Sequence, residues 1–268
     1  MASENKFEQR EKLTVVTVTI GNSGVSQPWN WQRISTLKHV LTACAAFDII
    51  LFPAGYFCLR TYTERKILSL SQEISAALRK IESKSTVCFG IDCNQQADQL
   101  ALAVNSEGLL AAGRKFYPTD GERGMINTAQ NCNDYELGHS RIFKVKQKRF
   151  YLAVCYDCFG IRHCNISNPG VDAILVCAHR FFNRGEGPSG DVDFARKGFA
   201  GASQQWQCPV FGTAVFFKRK IPENWPTGVL WTEQQNVRCF KYQDNQLHWA
   251  DKKEIQEKEL ALCYEYTL

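Results

Sequence analysis

Cys155 closes an apolar run, Tyr151-Leu152-Ala153-Val154, and is followed by Tyr156 and Asp157. A thiol at the C-terminal end of a buried strand points into the cleft where α/β sheets bind ligands. As a thiolate it can attack a carbonyl or nitrile carbon. The spacing leaves a second chemistry open: Cys155-x2-Cys158, with His163 and Cys164 close behind, also fits a zinc site or a dithiol redox pair. A structural zinc site needs a second ligand pair, and the other candidate, Cys88 with Cys93, falls inside a predicted strand. The chain has twelve cysteines in 268 residues and opens on a charged segment rather than an apolar leader. Its cysteines therefore read as reduced thiols, most of them small buried hydrophobes.

The elements that must position Cys155 follow from periodicity. Residues 13–20 alternate threonine with aliphatics and predict a strand, and residues 21–31 predict a loop. Over 30–47, Ile34, Leu37, Val40, Leu41 and Ala45 recur at helical steps, and 48–52 is a short apolar strand broken at Pro53-Ala54-Gly55. A second helix is predicted over 69–83, with strands at 86–92, 100–105 and 109–116. Residues 117–138, rich in Gly, Asn, Asp and Thr, predict a long loop, which in a compact domain is usually functional. Strands at 141–145, 150–156 and 171–178, a helix at 194–207, a strand at 210–218 and a strand pair at 228–240 complete the pattern. Alternating helices and near-continuous apolar strands indicate an α/β or α+β domain with helices covering its sheets.

Read in order, four segments resemble the nitrilase superfamily of carbon–nitrogen hydrolases. Asp48-Ile-Ile-Leu-Phe-Pro53-Ala54-Gly55-Tyr56-Phe57 is similar to the strand that ends there in Pro-Glu, with Ala54 where the glutamate stands. LALAVNSEGLLAAGRK, residues 100–115, resembles the segment that closes on the catalytic lysine, here Lys115. GHSRIFKVKQKRFYLAVCYD, residues 138–157, resembles the stretch ending in the nucleophile motif, so Cys155 matches the nucleophile. Pro169-Gly-Val-Asp-Ala-Ile-Leu-Val resembles the strand that follows. The resemblance implies a four-layer α-β-β-α sandwich, often paired into homodimers through its helices. It implies a Glu-Lys-Cys triad in which the glutamate takes the thiol proton and an acyl-enzyme is hydrolysed by water. It also implies that Lys115 and the amide of Tyr156 stabilise the oxyanion, and that Glu122 orients Lys115 or positions substrate. Asp157 is read as a strand-end hydrogen-bonding residue rather than a catalyst.

Ala54 departs from that pattern where it matters most, because a methyl group neither removes nor returns a proton. Loss of a positioned base costs roughly 10²- to 10⁴-fold. Lys115, Cys155 and Glu122 all match, and alanine is the usual engineered replacement for a catalytic residue. This favours a deliberately inactivated amidase-type hydrolase, expected to be almost inactive, over a natural non-catalytic binding or scaffold module of the same fold.

Composition sets the remaining bounds. The chain holds 32 Lys+Arg against 27 Asp+Glu, and this small excess does not argue for nucleic acid. Neither a leader nor a run of about 18 apolar residues is visible, so the expectation is a cytoplasmic protein without a membrane span. Expected boundaries are a charged segment over 1–12, a hydrolase domain over 13–250 and a C-terminal tail over 251–268 that reaches over a neighbouring subunit of a homodimer or larger homo-oligomer. No metal or organic cofactor is expected, and the expected partner is a small-molecule amide. Its selectivity is assigned to the loops after Pro53, Lys115 and Cys155, and to the stretch from His179 to Asp193, where Arg180 to Asp193 is a candidate lid or substrate-binding loop and His179 is read as a substrate-binding or oxyanion residue.

Overall fold

The computed structural model describes residues 12–22, 30–95, 97–186, 190–231, 247–257 and 259–268. The expected segment over 1–12, except Lys12, and most of the strand pair over 228–240 lie outside them. The strands are β1 (Thr14–Asn22), β2 (Ile49–Leu51), β3 (Phe57–Leu59), β4 (Thr86–Cys93), β5 (Asp98–Asn105), β6 (Gly108–Arg114), β7 (Ile142–Val145), β8 (Lys148–Val154), β9 (Ala173–Phe181), β10 (Val210–Phe217), β11 (Gly228–Val229), β12 (Lys252–Gln256) and β13 (Leu260–Thr267). The helices are α1 (Asn30–Ala43), α2 (Glu64–Lys80), α3 (Asp157–His163), the single turn α4 (Asp191–Asp193) and α5 (Ala200–Trp206). A π-helical turn, Phe194–Phe199, joins α4 to α5.

The strands run in the order β6-β5-β4-β2-β1-β10-β9-β8-β7, parallel from β4 through β8. The ribbon folds over at β1, whose first half pairs with β2 and whose end pairs with β10. Its two halves thus face each other. Alternation on β4 and β5 separates two cores: Val87, Phe89, Ile91, Leu102 and Val104 pack with Leu37 and Val40 of α1 and Ile74 and Leu78 of α2. Cys88, Ala101 and Ala103 face inward instead, in one core with the strands of the opposite half. Small side chains on this inner face let the sheets approach closely. On the outer face of the second half Trp206 of α5 meets Tyr151 of β8 edge-on at 4.8 Å. The result is the expected α-β-β-α sandwich.

Several elements differ from expectation, each for a local reason. α2 begins at Glu64, because Thr63 caps it by accepting the Lys66 amide at 3.3 Å; polar residues hid this first turn from a periodicity reading. β3 is too short for period-two alternation to register. The expected tail is not an arm. β13 pairs antiparallel with β1 over its whole length, Thr14 opposite Thr267 through Gly21 opposite Leu260. β12 completes a hairpin whose outer edge is guarded by exposed Lys252, Glu254 and Gln256. The charge of β12 concealed the strand that follows: Ala261, Leu262, Cys263, Tyr264 and Tyr266 are all buried. The domain expected to end at residue 250 therefore extends through the hairpin. Among the described residues no helix is long and apolar enough to cross a membrane.

Candidate functional site

Cys155 does not belong to its strand. β8 ends at Val154, Cys155 turns into the left-handed region at φ +49°, and α3 starts at Asp157. A non-glycine residue there costs about 1–2 kcal/mol, and a sharp strand-to-helix turn of this kind lifts a nucleophile clear of its sheet. Asp157 holds the turn in place. Its carboxylate accepts the amides of Val154 at 3.0 Å, Phe116 at 2.9 Å and Tyr117 at 3.0 Å, and pairs with the fully buried Arg141 guanidinium at 3.0 Å. Arg141 also donates to the carbonyl of Arg114 and to the Tyr151 hydroxyl. One buried ion pair thus ties the Cys155 turn to the chain on either side of Lys115. Removing one partner of such a pair costs about 3–5 kcal/mol.

Lys115 follows β6 and is fully buried. Its Nζ donates to both oxygens of Glu122, at 2.7 and 2.8 Å, and to Oε1 of Gln99 at 2.9 Å. Burial alone would lower its pKa, but the nearby Cys155 thiolate and Glu122 carboxylate outweigh it and the pKa rises. Glu122 sits in the long loop, on a 3-10 turn whose Thr119 donates to it through both amide and hydroxyl. Burial would raise its pKa. The hydrogen bond and charge of Lys115, with Thr119 and Gln99, take it down to about 2 instead. The cation is fixed and permanent.

Ala54 and Cys155 hang from consecutive carbonyls of β9. The Cys155 amide donates to Cys177 O at 2.7 Å and the Ala54 amide to Ala178 O at 2.9 Å. The end of β2 and the Cys155 turn therefore meet at one strand. Ala54 is buried, and Gly90 lies directly beneath it: a Cβ at 90 would collide with the Ala54 Cα. Gly55, at φ +56°, is packed as closely: a Cβ there would collide with the Asp92 carboxylate.

His179 is not in a loop, as the sequence suggests, but within β9, which runs three residues further than expected. Its Nε2 meets Asp92 Oδ1 of β4 at 2.9 Å, and its ring and backbone interact with the Cys155 thiol. Burial would lower the ring's pKa, but Asp92 and Cys155 raise it to about 10. Cys155 shows the reverse: burial would raise it, and His179 with Lys115 brings it below the ordinary thiol value. Asp92, Gln99 and Arg141 were not singled out from the sequence. For Asp92 the one signal was a carboxylate at the end of an otherwise apolar strand.

Cys158 is buried and donates to the Cys155 carbonyl at 3.2 Å, while Cys164 is exposed, so the two do not converge with His163 on a common centre. Among the described residues no group of three His, Cys, Asp or Glu side chains could hold a metal ion. Eight of the eleven described cysteines are buried. Tyr156, beside Cys155, is sandwiched between the rings of Phe159 at 4.2 Å and Tyr117 at 6.1 Å. In the candidate lid, Arg219 pairs with Asp191 at 3.2 Å; residues 187–189 lie outside the described set.

No family model and no curated protein matches the sequence. Solved structures do match the fold. A carbon–nitrogen hydrolase from Helicobacter pylori superposes with a TM-score of 0.53 at 10% identity, over 76% of this chain and 73% of that one. An amidase from Nesterenkonia sp. gives 0.50 at 14% identity, over 76% of each. A glutamine-dependent NAD(+) synthetase from Cytophaga hutchinsonii gives 0.50 at 12% identity; the match spans 76% of this chain but 36% of the synthetase. At these identities the likeness is one of architecture. The two-sheet sandwich folded at β1 is thus an architecture shared with solved carbon–nitrogen hydrolases and amidases of the nitrilase superfamily.

Proposed function

We propose that this chain is a carbon–nitrogen hydrolase of the amidase type, in which Cys155 attacks the carbonyl carbon of a small amide and forms a thioester that water then cleaves. The observation that carries this reading is the fully buried Lys115 ammonium, held by Glu122 and Gln99 on the side of the sandwich where the nucleophile turn emerges. A buried charge is costly to fold around, and a neutral side chain would fill the same space without it. A fixed positive charge beside a thiol favours the thiolate, and it stabilises the oxyanion once the carbonyl is attacked. The Tyr156 amide, next in the chain, is the natural second donor. Pairing into homodimers belongs to the same reading, and light scattering that gives a single-chain mass would remove that part.

The test is a panel of small amides incubated with the protein, followed by the mass of the Cys155 peptide and assay of released amine. An acyl adduct on Cys155, absent from Cys155→Ala, is the expected result. No adduct and no amine across the panel would favour the second reading, a non-catalytic module of the same fold, for which Ala54 is the specific observation.

A further inference from the structure

We infer that His179, held by Asp92, is the proton-transfer partner of Cys155, and that it fills the role of the carboxylate missing at position 54. The inference rests on the hydrolase reading and adds to it the group that moves protons. Three side chains come together. Asp92 Oδ1 lies 2.9 Å from His179 Nε2, and the imidazole interacts with the Cys155 thiol, whose amide is bonded to Cys177 O two residues before His179 on β9. β4 and β9 contribute the carboxylate and the imidazole from opposite halves of the sandwich. The arrangement is further fixed from below, because Gly55 brings its backbone against Asp92 and Ala54 is bonded to Ala178, the neighbour of His179. Position 54 thus borders the imidazole.

The titratable groups around Cys155 are Lys115 at the end of β6, Cys177 and His179 on β9, and Asp157 and Cys158 on α3. Lys115 is ion-paired and stays charged, Asp157 is occupied by three amides and Arg141, and burial pushes the Cys158 and Cys177 thiols up. His179 remains as the group able to give and regain a proton. His179 faces Asp92 and Cys155. The raised pKa of His179 and the lowered one of Cys155 bias the pair toward thiolate and imidazolium.

The steps balance. The thiolate adds to the amide carbon and the carbonyl π pair moves to oxygen. The oxyanion collapses, the C–N bond breaks, and the leaving nitrogen takes the His179 proton to depart as a neutral amine. Neutral His179 then accepts a proton from water as its oxygen adds to the thioester carbon. Collapse of this second oxyanion expels the Cys155 thiolate and frees the carboxylic acid, leaving His179 protonated as at the start. Asp92 acts through His179 by fixing the ring and supporting its charge, and is a positioning residue.

The experiment compares the wild type with His179→Ala, His179→Gln and Asp92→Asn, each checked for folding by thermal melting. The first readout is the pH dependence of iodoacetamide labelling at Cys155, followed by peptide mass. The second is the rate of the acylation burst on an amide and on its nitrophenyl ester, whose leaving group needs no proton. Loss of His179 is expected to move the labelling profile to higher pH and to slow amide acylation by about 10²- to 10⁴-fold. Ester acylation at a pH where the thiol is ionised is expected to fall less than about 10-fold. A merely structural histidine would lower amide and ester alike. An unchanged labelling profile, or equal losses on both substrates in variants that melt like the wild type, overturns the inference while leaving the hydrolase reading intact. A His179-dependent thiolate in a chain that acylates with no amide or ester upholds the ion pair but rejects the hydrolase reading, and with it the proton-transfer role.

Discussion

Two cations flank Cys155, and they are built differently. Lys115 is locked by a bidentate carboxylate and an amide oxygen, and everything around it keeps it charged. His179 leans on one carboxylate oxygen and on the thiol itself, and its proton is shared between groups that can exchange it. The first arrangement provides a constant field. The second provides a proton that can leave. A site that hydrolyses amides needs both, because stabilising an oxyanion and protonating a leaving amine are separate tasks.

The sharpest way to break this contrast is Lys115→Met. If the ammonium is a fixed field, kcat should fall by about 10²- to 10³-fold with the shape of the pH profile unchanged. A profile whose limbs move as far as they do without His179 would make the two cations equivalent. Asp92→Asn should act on the other side, lowering kcat on amides by about 10- to 100-fold. His179 holds its proton up to about pH 10 because Asp92 supports it, so the alkaline limb should shift to lower pH in this variant. An alkaline limb that stays put separates Asp92 from the imidazole.

Glu122→Gln should cost about 10-fold in kcat and on the order of 1–3 kcal/mol in stability at neutral pH. The folded pKa of Glu122 is depressed to about 2, so its contribution is complete above the unfolded carboxylate value and is lost as pH falls through the folded one. Denaturant melts should therefore separate wild type and variant at pH 7 and bring them together as pH approaches 2. A gap that persists in acid would mean that Glu122 acts by packing. The smallest effect is expected from Ala54→Glu. The buried position over Gly90 should make the longer side chain destabilising by about 1–3 kcal/mol, and with His179 in place the gain in amide turnover should stay under about 10-fold. A gain near 10²-fold would show that the chain lacks its base and that Ala54 stands in for a glutamate.

The fold was largely legible because its strands are apolar runs with distinct punctuation. Pro53 and Gly55 mark the end of β2, and Glu107-Gly108 marks the turn into β6. Lys115, Cys155 and Glu122 were identified by their order along the chain, and the structure gathers all three at one end of the sandwich. Asp92 stayed hidden, and His179 was read only as a substrate-binding or oxyanion residue, because the two lie 87 residues apart on strands of opposite halves and no local spacing records that they meet. α3 was missed because its seven residues follow an unbroken apolar strand, and a single left-handed residue separates the two. The C-terminal hairpin was concealed by the charges on β12, which protect an exposed edge and say nothing about the strand beside it.

The pairing of β1 with β13 also sets an order of events at synthesis. β1 lies where the two halves of the sheet join, yet one of its flanks is bonded along its whole length to residues 260–267. Most of the chain must leave the ribosome before that flank can be covered. Until then β1, rich in valine and threonine, presents an unpaired edge suited to pairing with other chains. Assembly of the sandwich is therefore a late step of high contact order, expected to be slow and sensitive to protein concentration. Shortening the chain before Leu260 should appear first as aggregation during expression, before any effect on the distant cysteine is seen.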